Sequence, residues 1–382
     1  MTGVRILMAA GGTGGHIMPA VAAALGVRAL DPAAEFLFVG AGRPAEEAVL
    51  GPGGWARAQV GAAPLKGGGV MRKMRGAARS AGAVFQALRI VRRFRPDLVF
   101  GAGGYSSGPV GLAAWLLGKP LYIHEQNRLP GLTNRLLGRL ASRVFLGDPA
   151  AAARFPAGKT LCTGNPVRPA IFADGPKDYA GAGPLTLLVL GGSQGAESLN
   201  RAVAAALGGL AGLSAGGPGV RVIHQAGAAG EAALRPAYEA SGLDFELGAF
   251  FTDMERLYRE ADLALCRAGA LTLAELAAAG VPSALVPLPW AADDHQTENA
   301  RAFEEAGAAV LVPEPGLTGE RIVSIVGGFL DSPAGLGRMS RAAMGLARRD
   351  AASVMASEIH AAASARRARK AGKGAGALRT AL

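Results

Sequence analysis

The same local order occurs twice in this chain, in VRILMAAGGTGGHIMPA at residues 4–20 and in LTLLVLGGSQGAESLN at residues 185–200. Each segment starts with a short apolar run, continues through a glycine-rich turn and ends in a stretch with helical spacing. A strand, a turn and a helix in this order are the repeating unit of a parallel sheet with crossover helices. The repeat therefore predicts two α/β domains that are built alike.

The rest of the chain alternates short apolar runs with amphipathic stretches, which is typical of βα repetition. Further strands are predicted at Glu35–Gly40, Asp97–Gly101, Leu121–His124, Arg143–Leu146, Arg221–His224, Asp262–Cys266, Ser283–Val286 and Ala308–Val312. The predicted organisation is an N-terminal domain at 1–164, a linker at 165–184, a C-terminal domain at 185–348, a helix at 349–369 that could cross back to the N-terminal domain, and a basic tail at 370–382.

Composition and cysteine usage narrow the class of protein. With 382 residues and 50% hydrophobic content, the chain can form two or three domains with full cores, which excludes disorder for most of it. Cys162 and Cys266 lie far apart without C-x-x-C spacing, so neither a zinc site nor a disulfide framework is indicated, and a reducing cytoplasm fits. The apolar run at 110–117 is far shorter than the ~20 residues of a spanning helix, and no cleavable signal is evident. We expect a protein that neither leaves the cell nor crosses the bilayer.

The positive charge of the chain, formally +11, is concentrated in two places. Nine Lys or Arg residues and no acid occur from Lys66 to Arg95, and the tail beyond Arg366 repeats the trend. Apolar residues such as Val70 and Phe85 interrupt the first block, which favours an anionic membrane surface over nucleic acid as its partner. A solvated helix face is the alternative interpretation for both blocks.

The glycine turns do not match a dinucleotide-binding fingerprint. Gly12 and Gly14 begin the G-x-G-x-x-G pattern, but position 17 is Ile, and no acid ends the second strand. The turn at 191–195 lacks the fingerprint as well, and no Walker lysine follows either turn. Because such turns still present backbone amides at a helix start, a phosphate or another anion is the expected ligand, with a plain βα connection as the alternative.

Polar residues at several predicted strand ends suggest chemistry. His16 directly follows the first turn and could act as a general base, or it could cap and pack the helix. Segments 101–115 and 124–137 place further glycines and polar side chains at strand ends of the same half. In the second half, a helix is predicted at Ala270–Ala279 after Gly269, where its N-terminal amides suit a diphosphate.

Seven motifs together resemble one known family. They are GGTGGHIMPA, GGYSSGP, HEQNRLPGLTNRLL, TGNPVR, GGSQGA, CRAGALTLAELAAAGVP and DHQTENA, in the family's order over residues 4–312. The family comprises the peptidoglycan N-acetylglucosaminyltransferases that convert lipid I into lipid II. The resemblance implies a GT-B fold of two Rossmann-like parallel-sheet domains facing across a cleft. It also implies UDP-N-acetylglucosamine as donor, lipid I as acceptor, no cofactor, no nucleic-acid partner, and a peripheral location on the cytoplasmic face of the bacterial membrane.

The resemblance also implies roles for individual residues. In the first half, Thr13, Gly14 and Gly15 are expected near the donor diphosphate and acceptor, and Asn127 on the donor sugar side. Arg168 and Ser193 are expected at the diphosphate, Phe251 at the uracil and Gln296 at the sugar hydroxyls. The residues expected at the nucleotide are Ala270, Leu271, Thr272, Leu273, Ala274 and Glu275, with Glu275 on the ribose. Tyr105 and Asn134 are expected on the acceptor side. Phe251 departs from the family's usual isoleucine, and Arg128 is unusual beside the asparagine.

The implied reaction is attack of the muramyl C4 hydroxyl on the anomeric carbon, with inversion. His16 is the candidate base and Glu125 the alternative, and the sequence does not choose between them. No D-x-D pair is present to hold a metal, so turnover without metal is predicted. The competing hypotheses are another GT-B enzyme, such as a lipid glucosyltransferase or a UDP-sugar 2-epimerase, and a non-catalytic basic binding protein.

Overall fold

The computed structural model describes residues 3–12, 14–61, 70–177, 179, 183–191, 196–214, 219–289 and 294–379. Two compact units form the chain. The first comprises Met1–Pro166 together with Asp350–Leu382, and the second comprises Val167–Arg349. The chain thus leaves the first unit at Pro166 and returns to it at Asp350.

A seven-stranded parallel sheet forms the centre of the first unit. Its strands are β1 (Arg5–Ala9), β2 (Glu35–Gly40), β3 (Arg57–Gln59), β4 (Leu98–Gly101), β5 (Leu121–Glu125), β6 (Arg143–Leu146) and β7 (Thr160–Cys162). They are arranged in the order β3-β2-β1-β4-β5-β6-β7. The crossover helices of this unit are α1 (Gly14–Leu30), α2 (Pro44–Leu50), α3 (Val70–Phe94), α4 (Ser107–Leu116) and α5 (Leu132–Leu140). Ile6, Leu7 and Met8 in the central strand are fully buried, as expected for a sheet covered by helices on both faces.

The second unit repeats this architecture with six parallel strands. They are β8 (Leu185–Leu190), β9 (Val220–Gln225), β10 (Asp244–Gly248), β11 (Leu263–Cys266), β12 (Ser283–Leu285) and β13 (Ala309–Leu311), in the order β10-β9-β8-β11-β12-β13. Its helices are α6 (Glu197–Ser214), α7 (Ala228–Ser241), α8 (Met254–Glu260), α9 (Ala270–Ala279), α10 (His295–Glu305), α11 (Gly319–Asp331) and α12 (Pro333–Leu346). Every predicted strand is present to within one residue at each end, whereas β3, β7 and β10 were not predicted.

The last helix, α13 (Ala351–Arg379), belongs to the first unit and packs on α1. A Cβ atom at Gly26 would lie only 2.7 Å from the Cβ of Ala356, so a glycine permits this close helix packing. Lys370 binds the carboxylate of Asp97 with an Nζ–Oδ1 distance of 2.7 Å. These contacts anchor the first part of the basic tail to the N-terminal sheet.

Helix α1 begins further upstream than its proline indicates. A proline is favoured in the first turn of a helix, which would place the start near Pro19. The helix instead starts at Gly14, so that Gly14, Gly15 and His16 form its first turn and Pro19 lies inside it. Among the described helices, none combines the length and apolar character needed to cross a bilayer.

Candidate active site

The first glycine turn joins β1 to α1 and is held by a carboxylate from the neighbouring loop. Gly12 has a φ of +107°, which only glycine adopts readily. Its N–H donates to Oε1 of Glu46 over 3.0 Å, and Ala41 and Gly42 donate to the same carboxylate over 3.0 and 2.9 Å. Glu46 was not predicted as a site residue. Part of the amide surface expected to receive an anion is therefore already bound to the protein's own acid.

His16 stands in the first turn of α1 with its ring orientation fixed. The ring Nδ1 lies 3.1 Å from the carbonyl oxygen of Ala102, which can only accept a hydrogen bond. The proton of the neutral imidazole is therefore on Nδ1, and Nε2 carries the basic lone pair. Gln126 Nε2 donates to the same carbonyl over 2.7 Å, so the strand ends of β1, β4 and β5 meet at Ala102.

The GGYSSG segment after β4 packs directly against this turn. A Cβ atom at Gly103 would lie 2.7 Å from Nδ1 of His16, and one at Gly104 would lie 1.9 Å from the carbonyl oxygen of Gly11. Both glycines also have positive φ angles, +93° and +78°. The glycines of the second motif are thus required for contact with the first motif.

Glu125 ends β5 and is enclosed by hydrogen-bond donors. It is 1% exposed and accepts bonds from the backbone N–H and side-chain Nδ2 of Asn127, the N–H of Gly131 and Nδ2 of Asn134, at 2.9 to 3.2 Å. Burial raises the pKa of Glu125, and these donors lower it, with a net upward shift. Its carboxylate therefore holds the 126–131 loop in place. Asn134, expected on the acceptor side, is buried with its Nδ2 on Glu125.

Two other polar residues of this half differ in exposure. Burial lowers the pKa of His124 to about 3, so this fully buried imidazole stays neutral. Tyr105 is 43% exposed, and the guanidinium of Arg43 lies 5.2 Å above its ring. Of the two acceptor-side candidates, Tyr105 is therefore the one at the surface.

Helix α9 of the second unit occupies the predicted residues Ala270–Ala279 and follows Gly269, which has no side chain to cap it. Leu273 packs into the core, whereas Ala270, Leu271, Thr272 and Ala274 are partly exposed. The first turn therefore leaves Ala270, Leu271 and Thr272 partly accessible. Thr13 and Ser193 lie outside the described residues.

A polar cluster surrounds the second turn of α9. Glu275 is largely buried and accepts a hydrogen bond over 2.9 Å from the hydroxyl of Tyr258, which is 2% exposed. Burial raises the pKa of Glu275, while Tyr258 and the nearby charge of Arg168 lower it, with a net upward shift. Arg168 also forms an ion pair with Glu255 at 3.2 Å. Arg168 and Glu275 are thus neighbours in the second unit.

Phe251 and Gln296 lie at the same edge of the second sheet. Phe251 N–H donates to Gln225 Oε1 over 3.0 Å, and its ring covers Gly248, where a Cβ atom would lie 2.8 Å from the ring. Gln296 accepts a bond from the N–H of Leu288, just after β12, over 3.0 Å. Apart from Arg168, which precedes β8, the candidate residues of each unit follow the carboxyl ends of parallel strands, where ligands bind in such sheets. Within the described part of the chain, no three His, Cys, Asp or Glu residues are grouped as metal ligands.

Comparison with known proteins identifies the family. The glycosyltransferase family 28 N-terminal domain matches residues 6–146, and the family 28 C-terminal domain matches residues 186–355. The UDP-N-acetylglucosamine–N-acetylmuramyl-(pentapeptide) pyrophosphoryl-undecaprenol N-acetylglucosamine transferase of Methylococcus capsulatus is 45% identical over 92% of this chain and 97% of its own length. The transferase of the same name from Geobacter sp. is 41% identical over 91% and 94%.

Solved structures agree with this result. The crystal structure of MurG from Acinetobacter baumannii matches with a TM-score of 0.73 and 32% identity over 93% of this chain and 99% of that one. UDP-GlcNAc 2-epimerase from Neisseria meningitidis matches with a TM-score of 0.64 over 92% and 98%, but at 13% identity it shows likeness of fold alone. The predicted GT-B class of two Rossmann-like parallel-sheet domains is confirmed. The chain therefore belongs to glycosyltransferase family 28 and, within it, to the family of the UDP-N-acetylglucosamine–N-acetylmuramyl-(pentapeptide) pyrophosphoryl-undecaprenol N-acetylglucosamine transferases.

Proposed function

We propose that this chain is an inverting glycosyltransferase that moves N-acetylglucosamine from UDP-N-acetylglucosamine to the C4 hydroxyl of the muramyl sugar of lipid I, producing lipid II for peptidoglycan synthesis. The main support is likeness at 40–45% identity, over about nine tenths of the chain, to relatives that are named for this transfer. The positions of the candidate residues in each unit are compatible with that reaction.

His16 acts as the general base in this proposal. Its Nδ1–H is bound to Ala102, so Nε2 is the nitrogen that takes the proton from the acceptor hydroxyl. The hydroxyl oxygen then forms a bond to the anomeric carbon while the bond from that carbon to the diphosphate breaks, and UDP leaves with the electron pair. Inversion follows because the attack comes from the face opposite the leaving group.

Glu125 is better suited to a positioning role than to proton transfer. A general base must come within hydrogen-bond reach of the proton it removes. The Glu125 carboxylate is 1% exposed, and its oxygens accept four bonds within the protein. It fixes Asn127 through two of these bonds, which suits the expected contact of Asn127 with the donor sugar.

The second unit binds the donor in this proposal. Arg168 and the first turn of α9 stabilise the negative charge that develops on the UDP diphosphate, with Ser193 and Thr13, Gly14 and Gly15 as further contacts. Glu275 accepts hydrogen bonds from the ribose diol, and Gln296 contacts the sugar hydroxyls. Phe251 packs against the uracil, where its flat ring replaces the family's isoleucine.

A peripheral location at the cytoplasmic face of the membrane completes the proposal. Helices α3, α4 and α5 carry large exposed apolar side chains at Phe85, Trp115, Leu116, Leu132 and Leu136. Exposed arginines, including Arg92 and Arg93, lie on α3. In the expected basic block Lys66–Arg95, the structure describes side chains from residue 81 onward. Apolar groups beside basic ones fit an anionic lipid surface.

The proposal is tested by incubating the chain with UDP-N-acetylglucosamine labelled in the sugar, with and without a lipid I analogue. We expect label in the lipid fraction and release of UDP only when the acceptor is present. Conversion of the donor to another UDP-sugar without any acceptor would instead indicate an epimerase. His16→Ala is expected to lose most of kcat, and full retention of kcat would remove His16 as the base.

A further inference from the structure

Glu46 joins two loops at the carboxyl edge of the first sheet. Its carboxylate is 6% exposed and accepts three backbone N–H bonds, one from Gly12 in the β1–α1 turn and two from Ala41 and Gly42 in the β2–α2 loop. Oε1 serves Gly12 and Ala41, and Oε2 serves Gly42. A charged acceptor shared by amides of two loops is among the stronger hydrogen-bonding arrangements in proteins.

The glycines around this carboxylate leave room for it. A Cβ atom at Gly40 would lie 2.1 Å from Oε2 of Glu46, and one at Gly11 would lie 3.0 Å from Oε1. Side chains at these two positions would push the carboxylate away from the amides. Part of the glycine content of the first motif is therefore explained by an internal acid.

The turn that Glu46 holds leads directly into the first turn of α1. His16 is four residues beyond Gly12, and its ring is fixed separately by the carbonyl of Ala102. Two anchors therefore define where the imidazole stands: Ala102 sets the ring orientation, and Glu46 sets the backbone that precedes the ring.

We propose that Glu46 is a positioning residue for the acceptor half of the reaction, holding the β1–α1 turn so that Nε2 of His16 reaches the attacking hydroxyl. This inference rests on the proposed function. Glu46 touches neither substrate in this account and acts through the backbone from Gly12 to His16. Most donor contacts of this account, at Arg168, Glu275 and the first turn of α9, belong to the second unit, so loss of Glu46 should affect kcat more than donor affinity.

The test is Glu46→Gln in the full chain. A glutamine offers one acceptor oxygen, and its NH₂ group would face a backbone N–H, so at least one of the three bonds is lost. Misplacement of a catalytic group by about 1 Å can lower the rate about 100-fold, so we expect kcat to fall about 10- to 100-fold. The KM for UDP-N-acetylglucosamine should rise by less than kcat falls.

Glu47→Gln is the matched control, because Glu47 is the adjacent residue, is exposed and forms an ion pair with Arg57 at the surface. It removes the same charge and should leave kcat within twofold. A double-mutant cycle then separates positioning from a general structural effect. If Glu46 acts through His16, adding Glu46→Gln to His16→Ala should lower kcat by less than twofold further.

Three results would overturn the inference: full kcat in Glu46→Gln, an equal fall in Glu47→Gln, or losses that multiply in the double variant. If His16→Ala itself keeps full kcat, the proposed base fails together with this inference, whereas loss in His16→Ala with none in Glu46→Gln rejects this inference alone. If Glu46→Gln does not fold, Gly40→Ala tests the same claim. This variant keeps the Glu46 carboxylate, but the added methyl group displaces it from the backbone amides. The same kcat loss, larger than any rise in donor KM, is expected.

Discussion

Replacing Tyr258 with phenylalanine removes one oxygen atom from the donor side of the candidate site. That hydroxyl donates to Oε2 of Glu275 over 2.9 Å, and both side chains are largely buried. A hydrogen bond to a charged group contributes about 1.5–3 kcal/mol, so we expect Tyr258→Phe to lower the free energy of unfolding by about 2 kcal/mol. For a domain of this size, that corresponds to a fall in Tm of about 4–8 °C.

The consequence for function follows from the same bond. Because the hydroxyl fixes one carboxylate oxygen and lowers the pKa of Glu275, its loss leaves the carboxylate less well oriented for a ribose diol. We expect UDP to bind about tenfold more weakly, equal to about 1.4 kcal/mol. Urea denaturation measures the stability change, and titration calorimetry with UDP measures the affinity.

Tyr238→Phe provides the matched control. Tyr238 is a buried tyrosine of the same unit, and its hydroxyl pairs with the neutral ring of His224 at 3.0 Å. A neutral bond contributes about 1 kcal/mol, and UDP affinity should not change. If Tyr258→Phe unfolds like the original chain and binds UDP equally well, or if both variants weaken UDP binding to the same extent, the Tyr258 hydroxyl does not position Glu275 for the nucleotide.

Three further predictions concern pH, the membrane and metal. Burial lowers the pKa of His124 to about 3 and that of His224 to about 4, so the unfolded chain takes up protons first as pH falls below the ordinary value of 6.5. Each should cost about 2 kcal/mol of stability between pH 7 and pH 5, and urea midpoints that stay constant over this range would contradict it. Phe85→Ser should weaken sedimentation with anionic vesicles about fivefold, because burying a full apolar side chain contributes about 1.5–3 kcal/mol and about half of this ring is exposed. Phe250→Ser in the second unit should leave sedimentation unchanged, and equal effects of the two variants would reject the proposed surface. Transfer activity should survive EDTA, and its abolition would refute turnover without metal.

The architecture was predictable where the residues alone determine burial. Central strands such as β1 and β8 are apolar in all but one residue, which is the pattern of a strand covered on both faces. The three strands that were missed, β3, β7 and β10, all lie at sheet edges and are short or rich in polar residues, as in RAQ and DFELG. Edge strands bury less surface, so their sequences are less constrained.

The candidate site was predictable where it depends on local sequence and not where it depends on contacts between distant residues. Helix α9 has its predicted limits because an alanine- and leucine-rich run lies between Gly269 and Gly280, which is a local signal. Glu46 was missed because its partner Gly12 is 34 positions away, and no local pattern records that contact. Its local signal is an acid soon after the end of β2, in the first turn of α2.

The structure of the product tests the central claim most directly. Lipid I analogue treated with UDP-N-acetylglucosamine and this chain should gain one N-acetylhexosamine by mass, and NMR should show it joined in the β configuration to O4 of the muramyl sugar. An α linkage, attachment at another hydroxyl, or a lipid of unchanged mass would contradict the account.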